Sequence, residues 1–291
     1  MFDVAFVDAK MNAHKQYSVF DKKGLSIIKS DGTKIFTGML FGTLRTVIAL
    51  HKDYNPRRIV FVYEGENNRR EVISPDYKAH RKNRKPLPGF EKQYQMTIGA
   101  LSLLGLTQIK ADEFEADDLI ATLVSRSKGK DNLIVSSDKD LFTLLEEKTC
   151  MLLHTPKKML FTERHFKEKF EINPNQFSLY LALVGDGTDN ITGINRIGPE
   201  TAKTLIQKHD TWQEIFKTLD EQSKGRLLIN LKLTRLNCNI EISQTLQLHK
   251  EKTTEKFWNL MEELKFRSMF IEQNRQILEE IHERNEGYQG N

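Results

Sequence analysis

Three short runs of apolar residues, rich in β-branched and aromatic side chains, lie at 2–7, 58–63 and 133–135. Runs of this length are typical of buried strands in a parallel sheet. Between them, apolar residues recur at the three- and four-residue spacing of amphipathic helices. These positions are Leu40, Leu44, Val47 and Ile48, then Tyr94, Ile98 and Leu101, then Leu119, Ile120, Leu123 and Val124. The alternation predicts an α/β domain with a mainly parallel sheet and flanking helices.

The pattern changes farther along the chain. Two apolar runs at 151–154 and 159–161 predict a hairpin at the edge of the sheet. After about Thr162 the strand signals stop, and apolar residues with helical spacing follow at 177–184, 202–206, 257–264 and 277–281. We therefore expect an α/β region at 1–162 and an α-helical region at 163–291.

Composition places the chain among globular proteins, with 38% hydrophobic and 29% charged residues. No run approaches the ~18 consecutive apolar residues of a membrane span, and Asp3 stands where a signal peptide carries a basic residue. We expect a cytoplasmic protein that does not interact with membranes. Cys150 and Cys238 form no paired metal-binding motif, so a bound metal would have oxygen or histidine ligands.

Carboxylates follow each predicted strand. The strands run into Asp8, into Glu64, and through two serines into Asp138 and Asp140. Ligands of open α/β sheets bind at the carboxyl ends of the strands. Two further acidic groups precede or follow predicted helices. They are Glu115, Asp117 and Asp118, and Asp186 and Asp189.

Each acid taken singly also fits a helix cap, because the first turn of a helix favours negative charge. Nine acids brought together in a partly desolvated site would repel one another unless divalent cations neutralised them. Since no histidine cluster accompanies them, Mg²⁺ or Mn²⁺ is a better match than Zn²⁺. A pair of such ions is typical of phosphoryl chemistry.

Residues 69–85 contain seven basic side chains against two acidic ones. Such a stretch is compatible with a solvated loop or a nuclear-import-like run. The interleaved Tyr77 and His80 favour single-stranded nucleic acid instead, because basic groups follow phosphates while aromatic faces stack on bases.

A second candidate nucleic-acid element lies around Gly198 and Pro199, where a tight turn leads into a predicted helix. The amides of such a helix start can bind a phosphate. An ordinary packing corner between two helices is the alternative. Apolar Ile194 and Ile197 favour a helix-hairpin-helix motif at about 184–206.

Eight short motifs in this order resemble those of the 5′-nuclease family, which includes flap endonucleases and the 5′–3′ exonuclease domain of bacterial DNA polymerase I. The motifs are Val7-Asp8, TGMLFG at 37–42, FVYE at 61–64, YKAHR at 77–81, EADD at 115–118, SDKD at 137–140, VGDGTDN at 184–190 and the hairpin at 193–202. The resemblance spans about 6–206, with weaker helical similarity through Phe266. It implies a PIN-like nuclease domain with a helical arch at about 66–95, followed by a helix-three-turn-helix region.

The resemblance also implies roles for individual residues. Ligands of a first metal are Asp8, Glu64, Glu115 and Asp117, with Asp118 close behind. Asp138 and Asp140 lie between the two metals, and Asp186 and Asp189 hold the second. Lys78 and Arg81 contact the scissile phosphate. The remaining DNA-binding residues are Tyr77 as a stacking residue, His80, Lys82, Arg84, Lys85, Gly193, Ile194, Arg196, Ile197, Gly198 and Lys203.

Three positions depart from the family pattern. Ala9 replaces a usual glycine, and Glu64 replaces a commoner aspartate and adds a methylene that can shift the metal. Arg196 stands where the family often has glycine. This last departure bears on the hairpin backbone and on a monovalent cation site expected at 193–198.

The expected function is a structure-specific 5′ nuclease with two Mg²⁺, replaceable by Mn²⁺, that removes flaps or RNA primers during replication and repair. Its expected partners are 5′-flapped or branched DNA and RNA-primed duplex, in a bacterial or phage-infected cell. Because 291 residues leave no room for a polymerase domain, we expect a standalone monomer that works beside a separate replicative polymerase. Two alternatives remain open: a structure-specific DNA-binding protein with little or no catalysis, and a PIN-type ribonuclease.

Overall fold

The structure is a computed structural model that describes residues 1–21, 24–65, 69–82, 85–153, 159–209, 211–241, 245–247 and 254–286. Its strands are β1 (Val4–Asp8), β2 (Ser26–Ile28), β3 (Lys34–Phe36), β4 (Arg58–Tyr63), β5 (Thr107–Ala111), β6 (Asn132–Val135), β7 (Thr149–Leu153), β8 (Met159–Phe161), β9 (Gly185–Asp186), β10 (Ile191–Thr192) and β11 (Thr245–Gln247).

Its α-helices are α1 (Ala9–Gln16), α2 (Gly38–Tyr54), α3 (Arg69–Ile73), α4 (Ala79–Lys82), α5 (Phe90–Leu103), α6 (Ala116–Arg126), α7 (Glu163–Phe170), α8 (Phe177–Val184), α9 (Pro199–Lys208), α10 (Trp212–Thr218), α11 (Glu221–Thr234), α12 (Thr254–Glu263) and α13 (Glu272–Glu286). A π-helical segment spans Tyr17–Asp21, and 3₁₀ turns span Lys139–Leu144, Pro174–Gln176 and Arg267–Phe270. No helix in the described part of the chain is both long and apolar enough to cross a membrane.

The main sheet has the strand order β11-β5-β4-β1-β6-β7-β8. Strands β5, β4, β1, β6 and β7 run parallel, and the edge strands β8 and β11 are antiparallel to their neighbours. The predicted parallel α/β sheet and the edge hairpin of β7 and β8 are confirmed. The predicted end of that hairpin at His154 and its turn fall outside the described residues.

Several strands were not predicted. Strand β5 contains Gln108 and Lys110, so it lacks the continuous apolar run that marked the other central strands. The buried amide of Gln108 is satisfied by the Tyr63 hydroxyl and by Ser102, which allows a polar residue inside the sheet. Strand β11 also corrects the expectation that strands end near Thr162, because it pairs with the edge of β5.

Two apolar cores lie on the two faces of the sheet. One joins the sheet to α6, α8, α9 and α11. The other joins it to α2 and α5 and also contains Phe257, Met261 and Leu278 from the last two helices. Helices α12 and α13 therefore return to the α/β part of the molecule. Their amphipathic spacing predicted helices but could not indicate which surface those helices cover.

Candidate metal centre and nucleic-acid interface

Three of the acidic segments lie at the carboxyl ends of the central parallel strands. Strand β1 lies between β4 and β6 and is parallel to both, with Asp8 opposite Val62. Asp8 caps α1 by accepting a hydrogen bond from the Met11 amide at 2.9 Å, and it accepts another from Ser136 Oγ at 3.0 Å. Burial raises the pKa of Asp8 to about 6, although these two hydrogen bonds oppose that increase.

Asp117 joins this group from the first turn of α6. Its carboxyl is buried, and burial followed by the charges of Asp138, Asp8 and Glu115 raises its pKa well above the usual value. Mutual repulsion of this kind requires that the acids lie close together. Acids from three separate chain segments, at 8, 115–117 and 138, therefore lie close together, as the sequence predicted.

Asp140, Asp186 and Asp189 form a second acidic cluster, and their carboxylate oxygens lie within 4.8 Å of one another. Burial and the charges of neighbouring aspartates raise the pKa of Asp140 to about 8. The buried Oδ1 of Asp140 has no hydrogen-bond partner. Desolvated carboxylates with an unused oxygen are the donors that a divalent cation takes. The residues therefore fit a divalent metal.

Asp118 differs from the other acids, and its place in the predicted ligand set needs correction. Both of its oxygens are bound by Arg70, at 2.6 and 2.7 Å, and Oδ1 also accepts from the Asn237 amide at 2.8 Å. These partners hold Asp118 in a buried ion pair. The sequence could not separate Asp117 from Asp118, since both stand in the first turn of one helix.

Glu64 is an exposed member of the predicted ligand set, with 42% of its side chain accessible. Its carboxylate pairs with Lys10 on α1. The extra methylene relative to aspartate therefore places this carboxylate beside a cation at the mouth of the site.

Lys78 and Arg81 lie against the acids. The Lys78 ammonium pairs with Glu115 and lies 3.6 Å from Asp189, while Arg81 Nη2 lies 2.7 Å from Asp189. Burial opposes ionisation of Glu115, but Lys78 and Arg70 outweigh it and lower the pKa of that carboxyl. The backbone of Lys78 has a positive φ of 52°, and its amide donates to the Asp189 carbonyl. The two residues that were predicted to contact the phosphate therefore lie beside the acids, and Lys78 contacts one acid of each group.

Tyr77 requires a correction. The sequence predicts a base-stacking residue, but only 2% of Tyr77 is accessible, and it packs with Ile191 and Leu233. Its hydroxyl lies 3.1 Å from Glu115 and 3.2 Å from Asp189. A ring with no accessible face has no surface on which a base can stack.

Other predicted DNA-binding residues of the basic stretch lie farther out. His80 and Lys85 are exposed. Lys82 ends α4, and nothing is described of its side chain, while Arg84 lies outside the described residues, as do 66–68 of the predicted arch. Part of the charge in this stretch is neutralised within the protein. Arg69 pairs with Glu113, and Arg70 pairs with Glu115 and Asp118.

The predicted hairpin connects α8 to α9. A Cβ on Gly193 would lie 2.2 Å from the Val184 carbonyl oxygen, so only glycine fits there. Arg196 adopts φ 64°, a conformation that glycine adopts most easily, so the glycine that the resemblance implies at this position would fit the same backbone. Ile194 is buried, Ile197 is half-buried, and Gly198 precedes Pro199 at the start of α9. Lys203 pairs with Glu171 and Glu200.

Sequence reasoning missed four residues that hold the acids. They are Lys10, Arg70, Ser136 and Lys139, and the last lies 2.6 Å from Asp186. Lys139 and Ser136 stand within or beside the SDKD motif, so their position was a usable signal. Lys10 and Arg70 carried none, because their partners are distant in sequence.

Comparison with known proteins matches most of the chain. A family model described as the 5′-3′ exonuclease N-terminal resolvase-like domain matches residues 3–171, and one described as the 5′-3′ exonuclease C-terminal SAM fold matches 172–267. The 5′-3′ exonuclease of Aquifex aeolicus is 30% identical over 248 residues, which are 81% of this chain and 85% of that protein.

Two further similarities extend this result. DNA polymerase I of Thermus thermophilus is 33% identical over 221 residues, which are 75% of this chain but 25% of that protein. The chain therefore spans about a quarter of that polymerase. The structure of the bacteriophage T5 flap endonuclease with DNA and metal ions has a TM-score of 0.65 and 18% identity, covering 97% of this chain and 99% of that one. At this identity the likeness establishes the shared fold.

Proposed function

Because the chain belongs to the 5′-3′ exonuclease family, we propose that it is a structure-specific 5′ nuclease, acting as 5′–3′ exonuclease and flap endonuclease. The observation that carries this proposal is the position of Lys78. Its ammonium lies between Glu115 and Asp189, which belong to the two acidic groups. A cation at that place can meet the charge of a phosphate held between them.

Two Mg²⁺ ions are the proposed cofactors, and Mn²⁺ can replace them. The first would be held by Asp8, Glu64, Glu115 and Asp117, and the second by Asp186 and Asp189, with Asp138 and Asp140 between them. Asp118 is not included, because its oxygens form a forked pair with Arg70 and accept from the Asn237 amide beyond α11. Glu115 is included, because its partners Tyr77 and Lys78 also contact Asp189. When bound, such ions activate water and stabilise the leaving oxygen of a phosphodiester.

The protein's own groups orient the reacting phosphate. Lys78 and Arg81 offer positive charge beside the acids, and the positive charge opposes the repulsion between the acids and a phosphate. His80 and Lys85 are exposed in the same basic stretch and are proposed to contact the DNA backbone. The hairpin that contains Arg196 and Gly198 would contact the duplex through exposed backbone at the start of α9. A monovalent cation at 193–198 is part of this proposal.

The proposed substrates are 5′-flapped or branched DNA and RNA-primed duplex. The bacteriophage T5 relative was solved with DNA and metal ions, which supports this choice. We also propose that the protein acts as a monomer in the cytoplasm of a bacterial or phage-infected cell, beside a separate polymerase that extends the upstream strand.

One cleavage assay tests the proposal. A 5′-labelled flap DNA should be cut near its junction with Mg²⁺ or Mn²⁺, and excess chelator should abolish the cut. Binding without cleavage under any divalent metal would favour the alternative of a DNA-binding protein. Faster cleavage of single-stranded RNA than of flap DNA would favour the PIN-type ribonuclease.

A further inference from the structure

Arg70, in the first turn of α3, belongs to the basic stretch but is buried, with 7% of the residue accessible. All five N–H donors of its guanidinium are used. Two donate to Asp118, one to Glu115 at 2.5 Å, and two to the carbonyl oxygens of Leu233 and Arg235 at 2.9 and 3.0 Å. A side chain held in this way is a fixed point of the structure rather than a surface cation.

The carbonyls that Arg70 binds belong to the end of α11, and the chain that follows is fastened to α6. Asn237 donates its amide to Asp118, and Ile240 donates its amide to Thr122 Oγ1 at 3.2 Å. Arg126 donates to the Ile240 carbonyl at 2.6 Å. Because these three α6 residues are spaced by four, they lie on one helix face. Arg70 extends this series of contacts to α3.

Glu115 is the partner of Arg70 that belongs to the proposed ligands of the first metal. It precedes α6 as the N-cap but accepts no capping hydrogen bond, so its carboxylate direction depends on side-chain partners. Those partners are Arg70, Tyr77 and Lys78. Tyr77 and Lys78 also contact Asp189, whereas the other acceptors of Arg70 are Asp118 and two backbone carbonyls at the end of α11. Arg70 therefore ties Glu115 to a separate part of the scaffold.

We propose that Arg70 is a positioning residue that fixes the Glu115 carboxylate for metal binding and links α3, α6 and the end of α11 into one unit. This inference rests on the proposed function, since it takes Glu115 as a metal ligand. Groups behind a metal ligand set its direction, and their loss lowers metal affinity or activity by ~10- to 100-fold. Lysine cannot replace arginine here because its single ammonium cannot make the forked pair with Asp118 while reaching Glu115.

The test compares Arg70→Lys with Arg69→Lys. Arg69 is the adjacent residue, and its exposed guanidinium pairs with Glu113 rather than with an acid of the site. Mn²⁺ binding is measured by calorimetry on the DNA-free protein, and single-turnover flap cleavage is measured over a range of Mg²⁺ concentrations. Arg70→Lys should weaken Mn²⁺ binding and shift the Mg²⁺ requirement by ~10- to 100-fold. Its affinity for flap DNA in chelator should be unchanged, and Arg69→Lys should match the wild type in every measurement.

Asp118→Asn tests the same link from α6 and protects the experiment against misfolding of Arg70→Lys. It should weaken Mn²⁺ binding in the same direction, and the double variant should lose less than the two single losses combined. Wild-type Mn²⁺ binding in a folded Arg70→Lys overturns the proposal, as does an equal loss in Arg69→Lys. If Arg70→Lys and Asp118→Asn both unfold, Arg70 contributes to stability alone and the proposal is wrong. If the wild type cleaves no flap but binds Mn²⁺ in an Arg70-dependent way, the proposed function fails and the positioning role stands.

Discussion

The hydroxyl of Tyr77 lies 3.2 Å from a carboxylate oxygen of Asp189, a residue that is 112 positions away in the sequence. The same hydroxyl lies 3.1 Å from Glu115, so one buried phenol touches both acidic groups. Burial, followed by the charges of Glu115 and Asp189, raises the pKa of Tyr77 above its usual value, which keeps the hydroxyl protonated and able to donate. Tyr77 is therefore a buried hydrogen-bonding partner of Glu115 and Asp189.

Tyr77→Phe separates this role from base stacking. The variant keeps the ring and removes the hydroxyl, so a stacking residue would be unaffected. We expect a lower single-turnover rate and a loss of about 1 kcal/mol in the free energy of unfolding, as is typical of one buried hydrogen bond. The affinity for flap DNA in Ca²⁺ should stay the same. Wild-type rate and stability in Tyr77→Phe would return Tyr77 to the stacking assignment.

Asp186→Asn tests the second acidic cluster. Asp186 is buried and accepts from Lys139 and from the Thr188 amide. The amide oxygen of asparagine can keep the Thr188 bond, so the fold should persist while a charged ligand is lost. We expect cleavage to fall by more than the ~100-fold that marks loss of a residue behind a ligand. Glu113→Gln, an exposed acid paired with Arg69, is the control and should cleave normally.

DNA binding should respond in the opposite direction to cleavage in Asp186→Asn. Removing a negative charge cannot weaken attraction to phosphate, so affinity in Ca²⁺ should be equal or higher. Lost binding together with normal turnover of the bound fraction would show that Asp186 acts on DNA rather than on a metal.

Lys78→Ala and Lys85→Ala distinguish chemistry from binding in the basic stretch. Lys78 lies among the acids, whereas Lys85 is exposed. Loss of a group that meets developing charge costs ~100- to 1,000-fold in rate, so Lys78→Ala should lower single-turnover cleavage far more than affinity. Lys85→Ala should raise the dissociation constant and flatten its salt dependence, with a normal rate. Equal rates for Lys78→Ala and the wild type would remove Lys78 from the catalytic residues.

The convergence of acids at the sheet edge could be predicted because it depends on local signals. Asp8 is the last residue of β1 and Glu64 directly follows β4, and parallel strands end on one side of the sheet. The position of a carboxylate at the end of such a strand can therefore be predicted without knowing its contacts. The prediction did not depend on which residues contact each acid.

The roles of Arg70, Tyr77 and Asp118 could not be predicted in this way. The sequence predicts that each of these residues is exposed, since each stands in a charged or polar stretch. Arg70 is buried only because Asp118 and two carbonyls at the end of α11 accept its hydrogen bonds, from residues 48 to 165 positions away. Pairings across such separations are set by tertiary packing, which leaves no periodic signal in the chain.

Gly193→Ala and Gly198→Ala form a matched pair in the hairpin. A Cβ on Gly193 would overlap the backbone of Val184 and Gly185, while a Cβ on Gly198 meets nothing within 4 Å. Gly193→Ala should lower thermal stability and duplex affinity together, because α8 and the hairpin must separate. Gly198→Ala should keep wild-type stability, so any affinity it loses reports close approach of DNA to that backbone. Equal stability of the two variants would contradict this packing.

The contact between α2 and α13 predicts a pH dependence of stability. His51 is buried, its Nε2 lies 3.1 Å from Glu280, and its Nδ1 has no partner. Burial, followed by the charge of Arg284, lowers the pKa of His51, although Glu280 opposes this effect. An unfolded histidine takes up a proton near pH 6.5, whereas the folded one resists it. Stability is therefore fully present above about pH 6.5 and is lost as the pH falls through the folded pKa.

His51→Gln should accordingly show a smaller loss of stability between pH 7 and pH 5 than the wild type, because the variant has no imidazole to protonate on unfolding. Urea unfolding at several pH values measures this difference. His80→Gln removes an exposed histidine and should keep the wild-type slope. A slope that is unchanged in His51→Gln, or reduced equally in His80→Gln, would show that protonation of His51 does not govern the docking of α13.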